Sequence, residues 1–316
     1  MDRPIDEIKR HEREINFIKG SYKTKPPMLK IKEAKWIYLI RSVMRSKNTL
    51  IIGPTGSGKT YTAQSIASAV NSFEKRPFFS FNMGSTQDPR SALIGNTYFR
   101  KETGTLFKES DFIKAIKSPN AIILLDEISR AHHEAWNIIL PVIDDTQRFL
   151  RMEEAEKDAM VEVAKGVTFL ATANIGNEYT STRVMDRALL DRFIKVEMDV
   201  LSQEEETKLL SELYPYLGTD IIGDITEITS HTRMMVKQDN SKLSNFLSTR
   251  LAIEMAGLAY DGFSLAEIAE VVIYPEFPDD GGVDSERTYM RGYCQKFLSD
   301  IDGKTNYKSF SLLPKK

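Results

Sequence analysis

Short apolar runs alternate with segments of helical periodicity over the first two hundred residues. Apolar runs at 50–52, 121–125 and 167–171 predict buried strands, and the segments 77–82 and 193–198 predict a second strand and an edge strand. The segments between these strands have the spacing of helices. This alternation predicts an α/β fold, in which helices cover a parallel sheet and ligands bind at the carboxyl ends of the strands.

Beyond residue 200 the pattern is helical. Ser202–Glu205 and Ser264–Glu267 both have the form of a capping box, in which a serine and a glutamate three residues later open a helix. The first thirty residues are highly charged and end at Lys25-Pro26-Pro27, which predicts a helical or loosely ordered arm followed by a linker. We therefore expect an N-terminal arm (1–30), an α/β core (31–200), a helical subdomain (201–275) and a C-terminal tail (276–316).

The composition is that of an ordinary globular chain of 316 residues. Lys and Arg total 43 against 45 Asp and Glu, so the net charge of −2 supplies no general attraction to nucleic acid or to anionic membranes. Cys294 is the only cysteine, which excludes an internal disulfide. There is no apolar run of membrane-spanning length and no apolar signal segment at the N-terminus, so we expect a cytoplasmic protein without a membrane partner.

The strand at 49–52 runs into a complete G-x-x-x-x-G-K-[ST] sequence. In this pattern, glycines turn the backbone so that successive N–H groups and a helix N-terminus surround a phosphate. Lys59 then supplies a charge to the β- and γ-phosphates, and Thr60 is placed to ligate Mg²⁺. The predicted nucleotide-binding residues are Gly53, Pro54, Thr55, Gly56, Ser57, Gly58, Lys59, Thr60 and Tyr61.

Two further strands end in polar residues at the same predicted edge of the sheet. Asp126 and Glu127 follow the apolar run at 121–125. Asp126 is the expected second Mg²⁺ ligand, and Glu127 is the expected base that deprotonates the attacking water. The run at 167–171 leads to Asn174, whose amide could position that water. A plain helix start at 126–127 and a plain turn at Asn174 are the alternatives.

In this order the residues resemble the AAA+ ATPases. Asn174 resembles sensor 1 of that superfamily, Met185–Phe193 resembles its arginine-finger region, and Phe246–Arg250 resembles sensor 2 on its lid. The chain is more narrowly similar to the MoxR, CbbQ and CobS type, also called the dynein-related group. Segments at about 96–107 and 147–166 resemble the helix-2 insert and the pre-sensor-1 insert of that type.

The resemblance implies a three-layer α/β/α P-loop core with strand order 5-1-4-3-2 and a C-terminal helical lid. It also implies ATP and Mg²⁺ as ligands, with Asn174 and Arg250 at the γ-phosphate, and a homo-oligomeric ring of six subunits. Arg192 of a neighbouring subunit would complete each site, with Arg183 and Arg187 as competitors for that role. The implied work is remodelling a protein target, together with a partner that carries a von Willebrand A domain.

Three other functions remain open from the residues. A nucleic-acid motor or loader would use the same ring, although the net charge gives it no support. A small-molecule kinase would use the same phosphate-binding loop, but it gives no reason for Asn174, Arg192 and Arg250 to follow in this order. A nucleotide-dependent scaffold without catalysis would not need Glu127 beside the metal ligand.

Overall fold

The computed structural model describes residues 5–85, 88–100, 104–152, 160–174, 185–238 and 241–298. The chain forms two compact units that divide between Val200 and Leu201. No helix within the described ranges has both the length and the apolar character needed to cross a membrane.

The first unit contains a sheet, two hairpins and the helices around them. Its described strands are Thr49–Ile52 (β1), Phe78–Asn82 (β2), Gly95–Arg100 (β3), Gly104–Glu109 (β4), Ile122–Asp126 (β5), Phe149–Arg151 (β6), Met160–Glu162 (β7), Thr168–Ala173 (β8) and Ile194–Glu197 (β9). Its described α-helices are Ile5–Gly20 (α1), Glu33–Met44 (α2), Lys59–Phe73 (α3), Pro89–Leu93 (α4), Asp111–Lys117 (α5), His133–Ile143 (α6) and Arg187–Leu190 (α7).

Five of these strands form one parallel sheet in the order β2-β5-β8-β1-β9. Numbered by their succession among these five strands, this order is 2-3-4-1-5, which is the predicted 5-1-4-3-2 viewed from the other edge. The predicted α/β fold is therefore confirmed. Ile52 pairs with Ala173, and Leu125 pairs with Ala171, so the carboxyl ends of β1, β5 and β8 meet at one edge.

The central strands are buried on both faces of the sheet. Leu50 belongs to one apolar cluster and its neighbour Ile51 to another, and the same alternation separates Ile123 from Leu124. Because successive side chains of a strand point to opposite faces, each strand contributes to two cores, one on either side. This explains why the strands read as continuous apolar runs rather than as alternating ones.

The N-terminal segment packs against the first unit. Phe17 of α1 stacks on Phe73 of α3 with ring centroids 4.5 Å apart, and Ile18 and Leu29 are buried in the cluster beneath α2. The indole of Trp36 donates a 2.9 Å hydrogen bond to the carbonyl of Ser21. The predicted arm is thus helical, and it is held by apolar contacts that its high charge obscures in the sequence.

The two predicted inserts each contain an antiparallel pair of strands. β3 pairs with β4, and β6 pairs with β7. The side chain of Phe99 on β3 is 72% exposed. Residues 101–103 and 153–159, which include the acidic residues Glu153, Glu154, Glu156 and Asp158, lie outside the described part of the chain.

The second unit is helical in its described part. Its α-helices are Gln203–Leu213 (α8), Thr219–Val236 (α9), Thr249–Tyr260 (α10), Leu265–Ile268 (α11) and Glu286–Leu298 (α12). Both predicted capping boxes are confirmed, since the Ser202 and Ser264 hydroxyls accept from the N–H groups of Glu205 and Glu267, whose side chains bond back. Met290 and Cys294 of α12 are buried in the core that the other helices form. That packing places the described part of the predicted tail in the helical unit.

Candidate nucleotide-binding site

The loop between β1 and α3 has the backbone of a phosphate-binding turn. Gly56 and Gly58 have φ angles of +77° and +81°, in the left-handed region that L side chains rarely adopt. Gly53 is required for a different reason, because a Cβ there would lie 2.2 Å from the carbonyl oxygen of Met198. α3 begins at Lys59, so its N-terminal N–H groups and the positive end of its dipole face the loop.

Two side chains of the loop are buried polar groups. Lys59 is only 9% exposed, and its ammonium donates a 2.7 Å hydrogen bond to the carbonyl of Pro54. The Ser57 hydroxyl oxygen is buried and has no hydrogen-bond partner within the described part of the chain. A buried polar atom without a partner costs free energy. A phosphate in the loop would supply an acceptor for both groups.

Thr60 and Asp126 meet directly beside the loop. The Thr60 hydroxyl lies 2.8 Å from Oδ1 of Asp126, and the Thr172 hydroxyl lies 2.5 Å from the same oxygen. Thr172 also accepts a 2.9 Å hydrogen bond from the N–H of Glu127. One hydroxyl of β8 therefore fixes both carboxylate residues at the end of β5.

Glu127 leaves the strand in an unusual conformation. Its φ and ψ angles are +55° and +41°, so this non-glycine residue lies in the left-handed region. Oε2 lies 3.3 Å from a guanidinium nitrogen of Arg130, and it would lie 2.9 Å from a Cβ added to Gly84. Strained backbone of this kind persists where surrounding contacts over-determine it, and it is concentrated at functional sites.

Asn174 follows β8 and faces the loop. It is 8% exposed, and its side-chain amide lies 3.4 Å from the Thr55 hydroxyl. Its backbone N–H donates to the hydroxyl of Ser129, across 3.2 Å. The predicted sensor position is thus at the edge of the sheet that carries the loop and the two carboxylates.

These residues fit a nucleoside triphosphate and its metal ion. The loop offers N–H groups, Lys59 and the Ser57 hydroxyl to phosphate oxygens. Thr60 and Asp126 offer the hard oxygen ligands that Mg²⁺ accepts, and Mg²⁺ takes its remaining ligands from phosphate and water. Glu127 and Asn174 add a carboxylate and an amide at the same edge of the sheet.

The predicted finger residue is held within its own chain. Nε and Nη2 of Arg192 lie 2.9 and 2.8 Å from Oδ2 of Asp144, and Nη1 donates to the carbonyl of Ala188 across 2.6 Å. Arg187, at the start of α7, is exposed. Arg183 lies outside the described residues.

Comparison with known proteins identifies the family. The model of the AAA domain, dynein-related subfamily, matches residues 48–193. A protein of Thauera aromatica named "Putative chaperone BssE" is 30% identical over 224 residues, which are 70% of this chain and 72% of that protein. Uncharacterised proteins of Staphylococcus saprophyticus and Staphylococcus epidermidis are each 29% identical over 217 residues, which are 68% of this chain and 78% of theirs.

The chain belongs to the dynein-related subfamily of AAA domains. The resemblance drawn from the sequence is confirmed at this level. AAA domains are in general nucleotide-binding and nucleotide-hydrolysing modules, and the matched segment spans the loop, both carboxylates, Asn174 and Arg192. It ends before the second unit of this AAA protein.

Arg250 belongs to that second unit. It lies in the first turn of α10, after the capping residue Ser248, and its side chain is exposed. Its predicted role at the γ-phosphate remains a prediction.

Sequence reasoning missed two residues that contact predicted site residues of this AAA protein: Thr172 contacts Asp126, and Asp144 contacts Arg192. Thr172 lies two residues before Asn174, and side chains at this spacing on a strand point to the same face. This spacing is a sequence signal that could have placed Thr172 beside Asn174. Asp144 has no sequence signal that separates it from Asp145.

Proposed function

We propose that this AAA protein is an ATP-hydrolysing ring ATPase, similar to the MoxR and CbbQ type, that remodels or activates a protein target. ATP and Mg²⁺ are its proposed ligands. Gly53 to Tyr61 hold the phosphates, and Thr60 and Asp126 hold the metal ion, which neutralises the charge on the β- and γ-phosphates. Glu127 takes the proton of the attacking water, and Asn174 orients that water.

The contact between Thr60 and Asp126 carries this proposal. It brings the first turn of the helix after the loop to the end of β5, where the next residue is Glu127. A protein that only binds nucleotide has no need of a carboxylate base beside the metal ligand. A small-molecule kinase also uses the loop and the metal, so the proposal depends further on Asn174 and the arginines.

The proposed active site is shared between subunits. Arg192 is assigned to the γ-phosphate of a neighbouring subunit, and Arg250 to the nucleotide of its own subunit. An arginine supplied to a transferring phosphoryl group contributes roughly 10³ to 10⁵ in rate. Hydrolysis would therefore depend on assembly, and by resemblance to the family the ring has six subunits.

The proposed target is a protein in the cytoplasm. The relative from Thauera aromatica is named as a chaperone, which supports a protein target. Phe99 on β3 is 72% exposed, and we assign this aromatic side chain to contact with the target. By resemblance to the family, a protein that carries a von Willebrand A domain is the proposed partner.

The test is the ATPase rate as a function of protein concentration for four samples: the native chain, Glu127→Gln, Arg192→Ala, and an equal mixture of the two variants. We expect native turnover per subunit to rise with assembly and each variant alone to be inactive. The mixture should regain activity, because Arg192→Ala subunits keep the base and Glu127→Gln subunits supply the arginine.

Other outcomes distinguish the alternatives. Native turnover that is independent of concentration, with Arg192→Ala unimpaired, would contradict the shared site. Transfer of phosphate to an acceptor molecule instead of water would indicate a kinase, and stimulation by DNA or RNA would indicate a nucleic-acid motor.

A further inference from the structure

The Asp144 carboxylate lies between the turn that ends α6 and the predicted finger residue. Oδ1 accepts hydrogen bonds from the N–H and the hydroxyl of Thr146, at 2.9 and 2.5 Å, and from the N–H of Gln147, at 3.1 Å. Oδ2 accepts from Nε of Arg192 and lies 2.8 Å from its Nη2 in the same ion pair. One oxygen thus fixes the carboxylate to the backbone, and the other holds the arginine.

The contact with Asp144 restrains the Arg192 guanidinium but does not use all of its N–H donors. A guanidinium has five N–H donors. In Arg192, Nε donates to Asp144, Nη2 lies against the same carboxylate oxygen, and Nη1 donates to Ala188. Two donors remain for a phosphate oxygen. The Arg192 side chain is still 27% exposed, and that of Asp144 is 16% exposed. An arginine held by one edge loses less conformational entropy when it binds a phosphate than a free one does.

The Asp144 carboxylate carries its negative charge at neutral pH. The Thr146 hydroxyl first, and then the amide groups of Thr146 and Gln147 together with Arg192, lower the pKa of Asp144 to about 2. The carboxylate is therefore ionised at neutral pH and well below it.

We propose that Asp144 is a positioning residue for hydrolysis in trans: it holds the Arg192 guanidinium so that its remaining donors are oriented before the neighbouring subunit arrives. This inference rests on the proposed function, which assigns Arg192 to the neighbour's γ-phosphate. Asp144 contacts no nucleotide itself and acts only through Arg192.

Asp144→Asn is the most selective change. An asparagine oxygen still accepts from Thr146 and Gln147, so the turn is kept, while an NH₂ group replaces the oxygen that accepts from Arg192. We expect kcat of the assembled enzyme to fall by about 10²-fold, the loss expected from a misplaced reacting group. KM for ATP and nucleotide binding to the dilute protein should be unchanged. The neighbouring Asp145→Asn is the matched control, since Asp145 has a side chain that is 71% exposed and forms an ion pair with Lys47, at 3.4 Å.

Two further samples separate positioning from stability. Mixing Asp144→Asn with Arg192→Ala should not raise turnover above that of Asp144→Asn alone, because neither subunit supplies a positioned arginine, whereas a defect of Asp144→Asn in its own nucleotide site would be complemented by the mixture. Mixing Asp144→Asn with Glu127→Gln should restore part of the activity, as for Arg192→Ala. If Asp144→Asn fails to fold, Asp144→Glu keeps the charge but displaces it, and the same fall in kcat at unchanged KM is expected.

The failures are distinguishable. If Arg192→Ala is inactive in trans but Asp144→Asn equals Asp145→Asn, or is faster than native, the positioning role is overturned and the shared site stands. If Arg192→Ala itself retains native turnover, the proposed function loses its finger and the positioning role falls with it.

Discussion

The hydroxyl of Thr60 donates to Oδ1 of Asp126 across 2.8 Å, which joins the first turn of α3 to the end of β5. The Thr172 hydroxyl donates to the same oxygen from β8. Three elements of the sheet edge therefore meet at one carboxylate oxygen. Any metal ion between these groups and a phosphate would be bound at a point fixed by the core of the fold rather than by a mobile loop.

Thr60→Val should remove this contact at nearly constant side-chain volume. We expect kcat for ATP hydrolysis in Mg²⁺ to fall by about 10²-fold or more, a loss typical when one preorganised polar group is removed from an active site. Nucleotide binding in EDTA should change little, because the loop N–H groups and Lys59 remain. Steady-state kinetics and equilibrium binding with and without Mg²⁺ measure the two effects.

Ser72→Ala, which removes an exposed hydroxyl near the end of the same helix, is the control. Equal losses in both variants would contradict a metal-linked role.

The central strands and the phosphate-binding loop could be predicted because their signals are local. Leu50 and Ile51 belong to two different cores, and a strand buried on both faces reads as an apolar run in the sequence itself. The glycines at 56 and 58 report a backbone conformation that other residues rarely adopt. Neither inference needs knowledge of which strand pairs with which.

Other features depend on pairings that the sequence does not encode locally. Thr172 reaches Asp126 only because β8 lies beside β5 in one particular register. Asp144 meets Arg192 across 48 positions of the chain, while Asp145, the adjacent residue with the same side chain, points to Lys47 instead. Local composition cannot tell the two aspartates apart, since the difference arises from the turn that ends α6.

Gly53→Ala should disrupt the first unit. The added Cβ would lie 2.2 Å from the Met198 carbonyl oxygen. The backbone at Met198 cannot move freely, because its N–H donates a 2.7 Å hydrogen bond to the carbonyl of Ile52. We expect the free energy of unfolding to fall by about 3 kcal/mol, the upper end for overpacking. Chemical denaturation would measure this loss.

Gly223→Ala provides the comparison for that change. Gly223 lies inside α9, and among the described residues no atom outside the adjoining backbone of that helix lies within 4 Å of an added Cβ. Alanine there should stabilise the helix by about 0.5–1 kcal/mol, because it loses less backbone entropy on folding. If the midpoint denaturant concentration of Gly53→Ala equalled that of the native chain, the close approach to Met198 would not exclude a side chain at position 53.

Arg76→Lys should destabilise the first unit although it keeps the charge. Arg76 is 8% exposed and donates to three carbonyls and one hydroxyl, at 2.6–2.9 Å; these acceptors belong to Val43, Asn120, Gly166 and Thr168. Burial lowers the pKa of this guanidinium. A lysine ammonium cannot reach all four acceptors, so we expect a loss of about 2–4 kcal/mol from buried groups left without partners. Thermal unfolding compares it with Lys75→Ala, an exposed neighbour that should be near neutral.

His231 should make the stability of the second unit depend on pH. Its ring stacks on Tyr293 with centroids 3.6 Å apart, and Nε2 lies 2.9 Å from the Tyr289 hydroxyl. Burial, and then the nearby charge of Lys296, lower the pKa of His231, and Glu227 only partly opposes them. In the unfolded chain the pKa of histidine is about 6.5, so the unfolded state takes up a proton first as the pH falls. The contribution of His231 to stability is therefore full above about pH 6.5, and it is lost as the pH falls toward the lower pKa of the folded state.

His231→Phe should flatten this dependence, because phenylalanine keeps a ring against Tyr293 but does not titrate. The measurement is denaturant unfolding of the second unit at several pH values from about pH 8 to pH 5, monitored with a probe that reports on that unit alone. Tyr289→Phe is the control, because it removes the hydroxyl contact and keeps the histidine. We expect the native chain and Tyr289→Phe to lose stability over this range more steeply than His231→Phe. A slope in His231→Phe as steep as the native one would assign the pH dependence to other groups, since the stacked ring would then be present in both proteins and only the titrating nitrogen would differ.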